Sequence, residues 1–227
     1  MSTVGLDRGA VVDFLIQSKV LKFGDFTLKS GRKAPYFINA GGFDDGDKIT
    51  KLASFYAQKI VDLGLDNVDS IFGPAYKGIP LCVSTAMSLA SNFKKNIGFT
   101  FNRKEAKTHG DGGEFVGKAL TKGMRIVLVE DVVTAGSTLN EVVPVLREKV
   151  GVEIAGVIIL VDRAEKGSGT CSAVEEAQTK HGITIHSLVS IHDIISYLCG
   201  ANSSGFRIDE ELKSRIDSYR AEFGAPC

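Results

Sequence analysis

The chain lacks net charge: its 27 Lys and Arg are matched by 27 Asp and Glu over 227 residues. Nothing draws the whole molecule toward nucleic acid or a membrane, so an anion site must be local. It also lacks any apolar run near the roughly 20 residues that span a bilayer. Its first ten residues carry Asp7 and Arg8 where a secretion signal has an apolar core. A soluble, cytoplasmic protein is expected. Cysteine is sparse, and Cys82, Cys171, Cys199 and Cys227 form no CxxC pair. That excludes a zinc site or a disulfide framework as the expectation and leaves buried, reduced thiols. No His, Asp and Glu cluster has ligand spacing, so no protein metal site is expected. A GxxxxGK[ST] loop and a GxGxxG loop are both missing, which points away from ATP hydrolysis and nicotinamide chemistry. No internal repeat or low-complexity tract is present.

What the chain does have is 44% apolar and 24% charged residues, enough for one full core and a single domain over 1–227. Apolar spacing predicts a first helix from about Asp7 to Ser18. Two strands around a basic turn, 23–28 and 35–40, then suggest a small hood, formed mainly by residues 1–40, outside the main sheet. Asp45 or Asp47 caps a helix carrying Ile49, Leu52, Ala53, Tyr56 and Ile60 on one stripe. Strands near 69–75, 96–103, 125–130, 152–162 and 183–189 alternate with helices at 78–92, 137–149, 172–180 and 191–198, and an amphipathic helix closes the chain. Pro144 should kink or break its helix. Strands alternating with helices imply an α/β fold, a parallel sheet flanked by helices. The segment 104–117 is polar and glycine-rich, which suits a mobile loop or lid.

The most informative stretch is Arg125 to Thr138, RIVLVEDVVTAGST. A short β-branched strand ends in two carboxylates, Glu130 and Asp131, which are costly to bury unpaired and should face a crevice. Val132 and Val133 lead into Thr134, Ala135, Gly136, Ser137 and Thr138, whose hydroxyls and backbone N–H groups at a helix start compose a phosphate cradle. Carboxylates for vicinal hydroxyls beside a phosphate loop suit a single ribose 5-phosphate. Gly73 to Lys77, Arg103 and Arg163 fall on the same rim, beyond the carboxyl ends of the strands.

The stretch Ile126 to Thr138 resembles the phosphoribosyl pyrophosphate (PRPP) motif of type I phosphoribosyltransferases. Four others, FTLKSGRKAPYF at 26–37, GPAYKG at 73–78, NRKEAKTHG at 102–110 and VDR at 161–163, resemble orotate phosphoribosyltransferases in that family's order. The resemblance implies transfer of phosphoribose from PRPP to orotate, giving orotidine 5′-monophosphate and pyrophosphate, with Mg²⁺ carried by the diphosphate of the substrate. It implies that Lys77, Arg103, Lys107 and His109 are catalytic. PRPP would also meet Lys29, Tyr76, Lys104 and the run Glu130 to Thr138. Orotate would meet Lys29, Phe37, Ile38, Thr134 and Arg163, with Arg163 at its carboxylate. It further implies a homodimer with shared active sites, the lid of one subunit reaching the other.

These roles agree with the chemistry. Breaking the bond from C1′ to pyrophosphate builds negative charge on the leaving group, which cations stabilise. A closing lid excludes water from the reactive ribosyl centre. Two alternatives remain open at this point. The phosphate loop serves any base, so a purine or other pyrimidine acceptor is one. The other is a regulatory module that senses PRPP while binding RNA or DNA, which the balanced charge and lack of a basic stripe weaken.

Overall fold

The computed structural model describes residues 5–28, 31–105, 113–134, 136–200 and 202–225. The chain opens with helix α1 (Arg8–Gln17), strands β1 (Leu21–Thr27) and β2 (Lys33–Ile38), and helix α2 (Gly46–Asp62). Then follow β3 (Ser70–Gly73), α3 (Gly78–Phe93), β4 (Gly98–Asn102), β5 (Phe115–Gly117) and β6 (Arg125–Glu130). Helix α4 (Ser137–Pro144) runs into a π-helical turn at Val145–Val150, and β7 (Glu153–Asp162), α5 (Ala173–His181), β8 (Ile185–Ser190), α6 (Ile191–Cys199) and α7 (Glu210–Phe223) complete it. Pro144 has no N–H to give the turn before it, and the change of helix type begins at the next residue. Among the described residues no helix is long and apolar enough to cross a membrane.

Six strands form one sheet in the order β5-β4-β3-β6-β7-β8, and β1 pairs with β2 in a separate antiparallel hairpin. The central strands are parallel, but β5 runs antiparallel to β4 at the edge, so the sheet is mixed. This strand lies inside the segment expected to be loop. Its Phe115 sets an edge against Phe72 of β3, with centroids 5.9 Å apart, which gives the edge an apolar anchor.

Strand alternation divides the core in two. Val127 and Val129 of β6 with Ile158 and Leu160 of β7 join the core that holds α1, α2 and α3. Ile126 and Leu128 with Val157 and Ile159 join the core under α4 and α5. Both faces are covered, so β6 is apolar from Ile126 to Val129, between Arg125 and Glu130.

The chain turns one way from β3 through α3 to β4 and the other way from β6 through α4 to β7. β3 and β6 are neighbours, so the sheet's switch point lies between them, and the loops after both open into one crevice. The loop after β3 is folded very tightly. A Cβ on Gly73 would fall 1.9 Å from the Gly78 carbonyl oxygen, and one on Gly78 would fall 2.6 Å from the Gly73 carbonyl carbon. Only glycine at both positions lets β3 and α3 approach this closely.

Candidate active site

At the switch point the two loops are tied by charge. Lys77 Nζ donates to Asp131 Oδ2 at 2.7 Å, joining the start of α3 to the end of β6. Asp131 Oδ1 accepts from the Val132 N–H at 2.9 Å, and the Asp131 carbonyl accepts from the Leu160 N–H. The Ala75 N–H donates to Asn102 Oδ1 at 2.8 Å, which fixes the loop after β3 to the end of β4. The Ala75–Tyr76 peptide bond is cis, and Tyr76 projects into solvent at 72% exposure.

The two carboxylates expected to face a crevice differ in their surroundings. Each is only 7% exposed. Asp131 is ion-paired, whereas Glu130 turns inward: Oε1 accepts a long 3.3 Å bond from the Asp131 N–H. Its Oε2 has no hydrogen-bond partner among the described residues. Burial, reinforced by the neighbouring Asp131 charge, pushes the Glu130 carboxyl up to about 8. Beneath them, buried Tyr56 donates its hydroxyl to the Glu130 carbonyl at 2.7 Å.

Past the carboxylates the chain is poised for an anion. Val132 is half-buried, Val133 packs into the core, and Thr134 and Ser137 are exposed with Thr138 half-buried beside them. Gly136, at φ +65°, caps α4 without any side-chain hydrogen bond. Helices α1, α2, α5, α6 and α7 each begin with a side-chain cap. The exceptions, α3 and α4, are the two that start at the switch point. At α4 the first N–H groups and the positive dipole end are left for an external anion, whereas at α3 the Gly78 and Ile79 N–H groups already donate to the Pro74 and Tyr76 carbonyls and Pro80 has none.

Cations surround this crevice unequally. Arg103 is half-buried, its Nε without a partner among the described residues, and lines a cavity of about 180 Å³ with Lys104, Glu114 and Glu141. Lys104 is drawn to Glu141 on α4 at 3.0 Å, so it faces the outer side of that helix. Lys29, Lys107, His109 and Ala135 lie outside the described residues. Among the described residues no three His, Cys, Asp or Glu side chains gather to hold a metal.

The base-facing candidates divide by strand geometry. Phe37 and Ile38 are consecutive in β2, so their side chains point to opposite faces. Ile38 packs on the core, while Phe37 stacks on Phe26 within the hairpin, centroids 5.5 Å apart. A flat ligand meeting both residues can touch the Phe37 ring but only the backbone of Ile38.

Arg163, just past β7, is held by Glu165, whose Oε1 accepts from Nε at 3.1 Å and Nη2 at 2.6 Å. The same oxygen accepts the hydroxyls of Tyr36 and Tyr219. Glu165, Tyr36 and Tyr219 were missed as site residues, as were Asn102 and Tyr56. Tyr36 and Asn102 stand inside motif stretches and carried a signal. The others act through folding contacts that leave no local pattern.

Comparison with known proteins agrees with this geometry. The phosphoribosyl transferase domain model matches residues 41–173. Orotate phosphoribosyltransferase of Bifidobacterium longum is 46% identical over 222 residues, covering 94% of this chain and 96% of that protein. That of Clostridium acetobutylicum is 45% identical over 214 residues, with the same coverage of 94% and 96%. The crystal structure of the Francisella tularensis orotate phosphoribosyltransferase superposes with a TM-score of 0.83 at 34% identity, covering 95% of this chain and all of that one.

Proposed function

The chain belongs to the phosphoribosyltransferases, in their orotate-specific group, and we infer from this that it transfers the phosphoribosyl group of PRPP to orotate. The products are orotidine 5′-monophosphate and pyrophosphate, a step of pyrimidine biosynthesis. In the reaction a bond forms between a ring nitrogen of orotate and C1′ as the bond from C1′ to the pyrophosphate oxygen breaks. The leaving group departs with that electron pair, and the proton lost from the ring nitrogen passes to solvent.

The observation that carries the donor half is the bond from Lys77 to Asp131 between two uncapped helix starts. In this assignment the 5′-phosphate sits on the 134–138 loop at the start of α4, where free amides and hydroxyls receive it. Asp131 and Glu130 take the ribose hydroxyls, which requires the inward-turned Glu130 side chain to swing toward the crevice, where its unpartnered Oε2 can accept. Lys77 and Arg103 meet the pyrophosphate and stabilise its growing charge. Lys107 and His109 add to them from the segment between β4 and β5, as the family resemblance implies, and Lys29 reaches the donor from the hood. Lys104 would have to leave Glu141 to join, a small cost for an exposed pair. No protein nucleophile is needed: the site orients C1′ and supports charge separation.

Magnesium enters as part of the substrate, on the diphosphate, with the crevice carboxylates as neighbours. Orotate lies against the Phe37 ring and the backbone of Ile38, near Thr134, with its carboxylate at Arg163. The reading includes one domain over 1–227, a cytoplasmic location, and a homodimer with shared sites. Exposed Met87 and Phe99, beside Val83 and Ile97, offer an apolar face that a second copy can bury.

The test is orotate absorbance in the presence of PRPP and Mg²⁺, run beside a panel of other bases. Orotate should be consumed with one pyrophosphate released for each. Turnover of hypoxanthine or uracil with orotate untouched would overturn the assignment.

A further inference from the structure

A cluster beyond the donor site calls for an explanation. Glu165 is buried to 14% side-chain exposure, and Arg163 beside it to 13%. One oxygen of this carboxylate receives four donors: Arg163 Nε and Nη2, the Tyr36 hydroxyl at 3.1 Å and the Tyr219 hydroxyl at 3.0 Å. The other oxygen faces Arg32 at 4.0 Å. Three separate parts of the chain meet here: the hood through Arg32 and Tyr36, the turn after β7, and the closing helix α7.

The arrangement of the guanidinium is specific. Glu165 uses its Nε side, and the group lies over the Tyr36 ring with Cζ 5.6 Å from the centroid. Arginine has five N–H donors in a rigid plane, so two are engaged by Glu165 and three, chiefly on Nη1, have no hydrogen-bond partner among the described residues. Gripped along one edge and stacked on one face, the plane has little rotational freedom left. The free edge is suited to a carboxylate, which it can meet in two parallel hydrogen bonds.

Charge is conserved as well as geometry. One glutamate stands against two arginines, Arg163 and Arg32, so the cluster keeps one positive charge for an incoming anion. Its donors are also durable. Burial pushes the Tyr219 hydroxyl up to about 12, helped by the Glu165 charge, and raises Tyr36 by the same causes. For Arg163 burial works against the charge, but Glu165 together with Tyr36 and Tyr219 offsets it and the guanidinium is raised. The turn is stitched to α7 by the backbone, since the Lys166 N–H donates to the Phe223 carbonyl and the Ala225 N–H to that of Ala164.

We propose that Glu165 is the positioning residue of the base site: it fixes the plane of Arg163, and through Tyr219 makes the closing helix part of orotate recognition. This rests on the assignment of Arg163 to the orotate carboxylate. Glu165 itself does not touch substrate. It acts by restricting the arginine that does.

The experiment is steady-state kinetics with both substrates varied, on the full chain and on Arg163→Lys, Glu165→Gln, Glu165→Asp and Tyr219→Phe, each with its urea midpoint. Losing charge-assisted hydrogen bonds to a buried arginine should raise the orotate KM of Glu165→Gln about tenfold. Its PRPP KM and kcat should stay within about threefold of the parent. Glu165→Asp should recover part of the loss, and Tyr219→Phe should raise the orotate KM only about twofold to threefold. Should Glu165→Gln fail to fold, Glu165→Asp carries the same test, with a selective rise in orotate KM expected. If Arg163→Lys raises the orotate KM while both Glu165 variants keep the parent value, the positioning role is overturned and the base assignment stands. If Arg163→Lys leaves the orotate KM unchanged, the base assignment falls and the proposal with it. Equal rises in both KM values, alongside a lower urea midpoint, would make Glu165 a structural tie and overturn the proposal too.

Discussion

Two clusters of opposite charge stand at strand ends in this molecule, and they are finished to different degrees. At the end of β6, Lys77 is 62% exposed by its side chain although paired with Asp131, and Glu130 keeps an oxygen without a partner among the described residues. Past the end of β7, one oxygen of Glu165 is filled by four donors, and its arginine is almost closed off from solvent. Unfilled capacity belongs where a ligand's charge changes during reaction, because new hydrogen bonds can then form at the transition state. Saturation belongs where a fixed shape must be recognised, because a held side chain loses little entropy on binding. The first cluster therefore suits the donor, and the second suits the base.

The contrast can be broken most severely at Asp131. Asp131→Asn removes the partner of Lys77 and a ribose acceptor together, and should lower kcat/KM at least about a hundredfold in initial-rate assays. A rate near the parent's would remove this cluster from the donor site. Gly78→Ala disturbs the same cluster without touching a charge. Its new Cβ meets the Gly73 backbone, so the chain should lose about 1–3 kcal/mol in urea unfolding. Full stability would mean that the two glycines are not needed for close approach.

Glu130→Gln is subtler and depends on pH. The folded state holds the Glu130 proton up to about 8, while the unfolded chain releases it near the ordinary 4.5. Between those values the folded state binds more protons, so stability falls as pH rises, by up to about 1.4 kcal/mol per pH unit from this group. Above 8 that contribution is level. Urea midpoints from pH 5 to 8 should therefore slope downward more steeply in the parent than in Glu130→Gln, and parallel curves would contradict the buried, protonated carboxyl. The smallest effect belongs to the exposed pair of Lys104 and Glu141. Glu141→Ala should change stability by less than about 0.5 kcal/mol, measured the same way.

Much of this was legible in the sequence, and what was not has identifiable causes. The alternation of strands and helices survived because period and length are local properties, and Asp45 does cap α2 as its position suggested. β5 was hidden because three residues in a glycine-rich polar segment carry no periodicity of their own; they become a strand by pairing with β4. The acidic pair at 130–131 and Lys77 were visible as residue types in a suggestive place. That Asp131 is paired while Glu130 is buried, its carboxyl pushed up by that burial, depends on packing from α2 and α3, which spacing does not encode. Glu165 was invisible for the plainest reason. Its partners Tyr36 and Tyr219 lie 129 and 54 residues away, and only the fold brings them together.

The division of labour between the two clusters is tested most directly by crossing substrates against variants, with KM for PRPP and for orotate measured in Asp131→Asn and Arg163→Lys. Asp131→Asn should raise the PRPP KM with little change in that for orotate, and Arg163→Lys should do the reverse. If each variant raises both values alike, donor and base are not read by separate clusters, and the account is wrong.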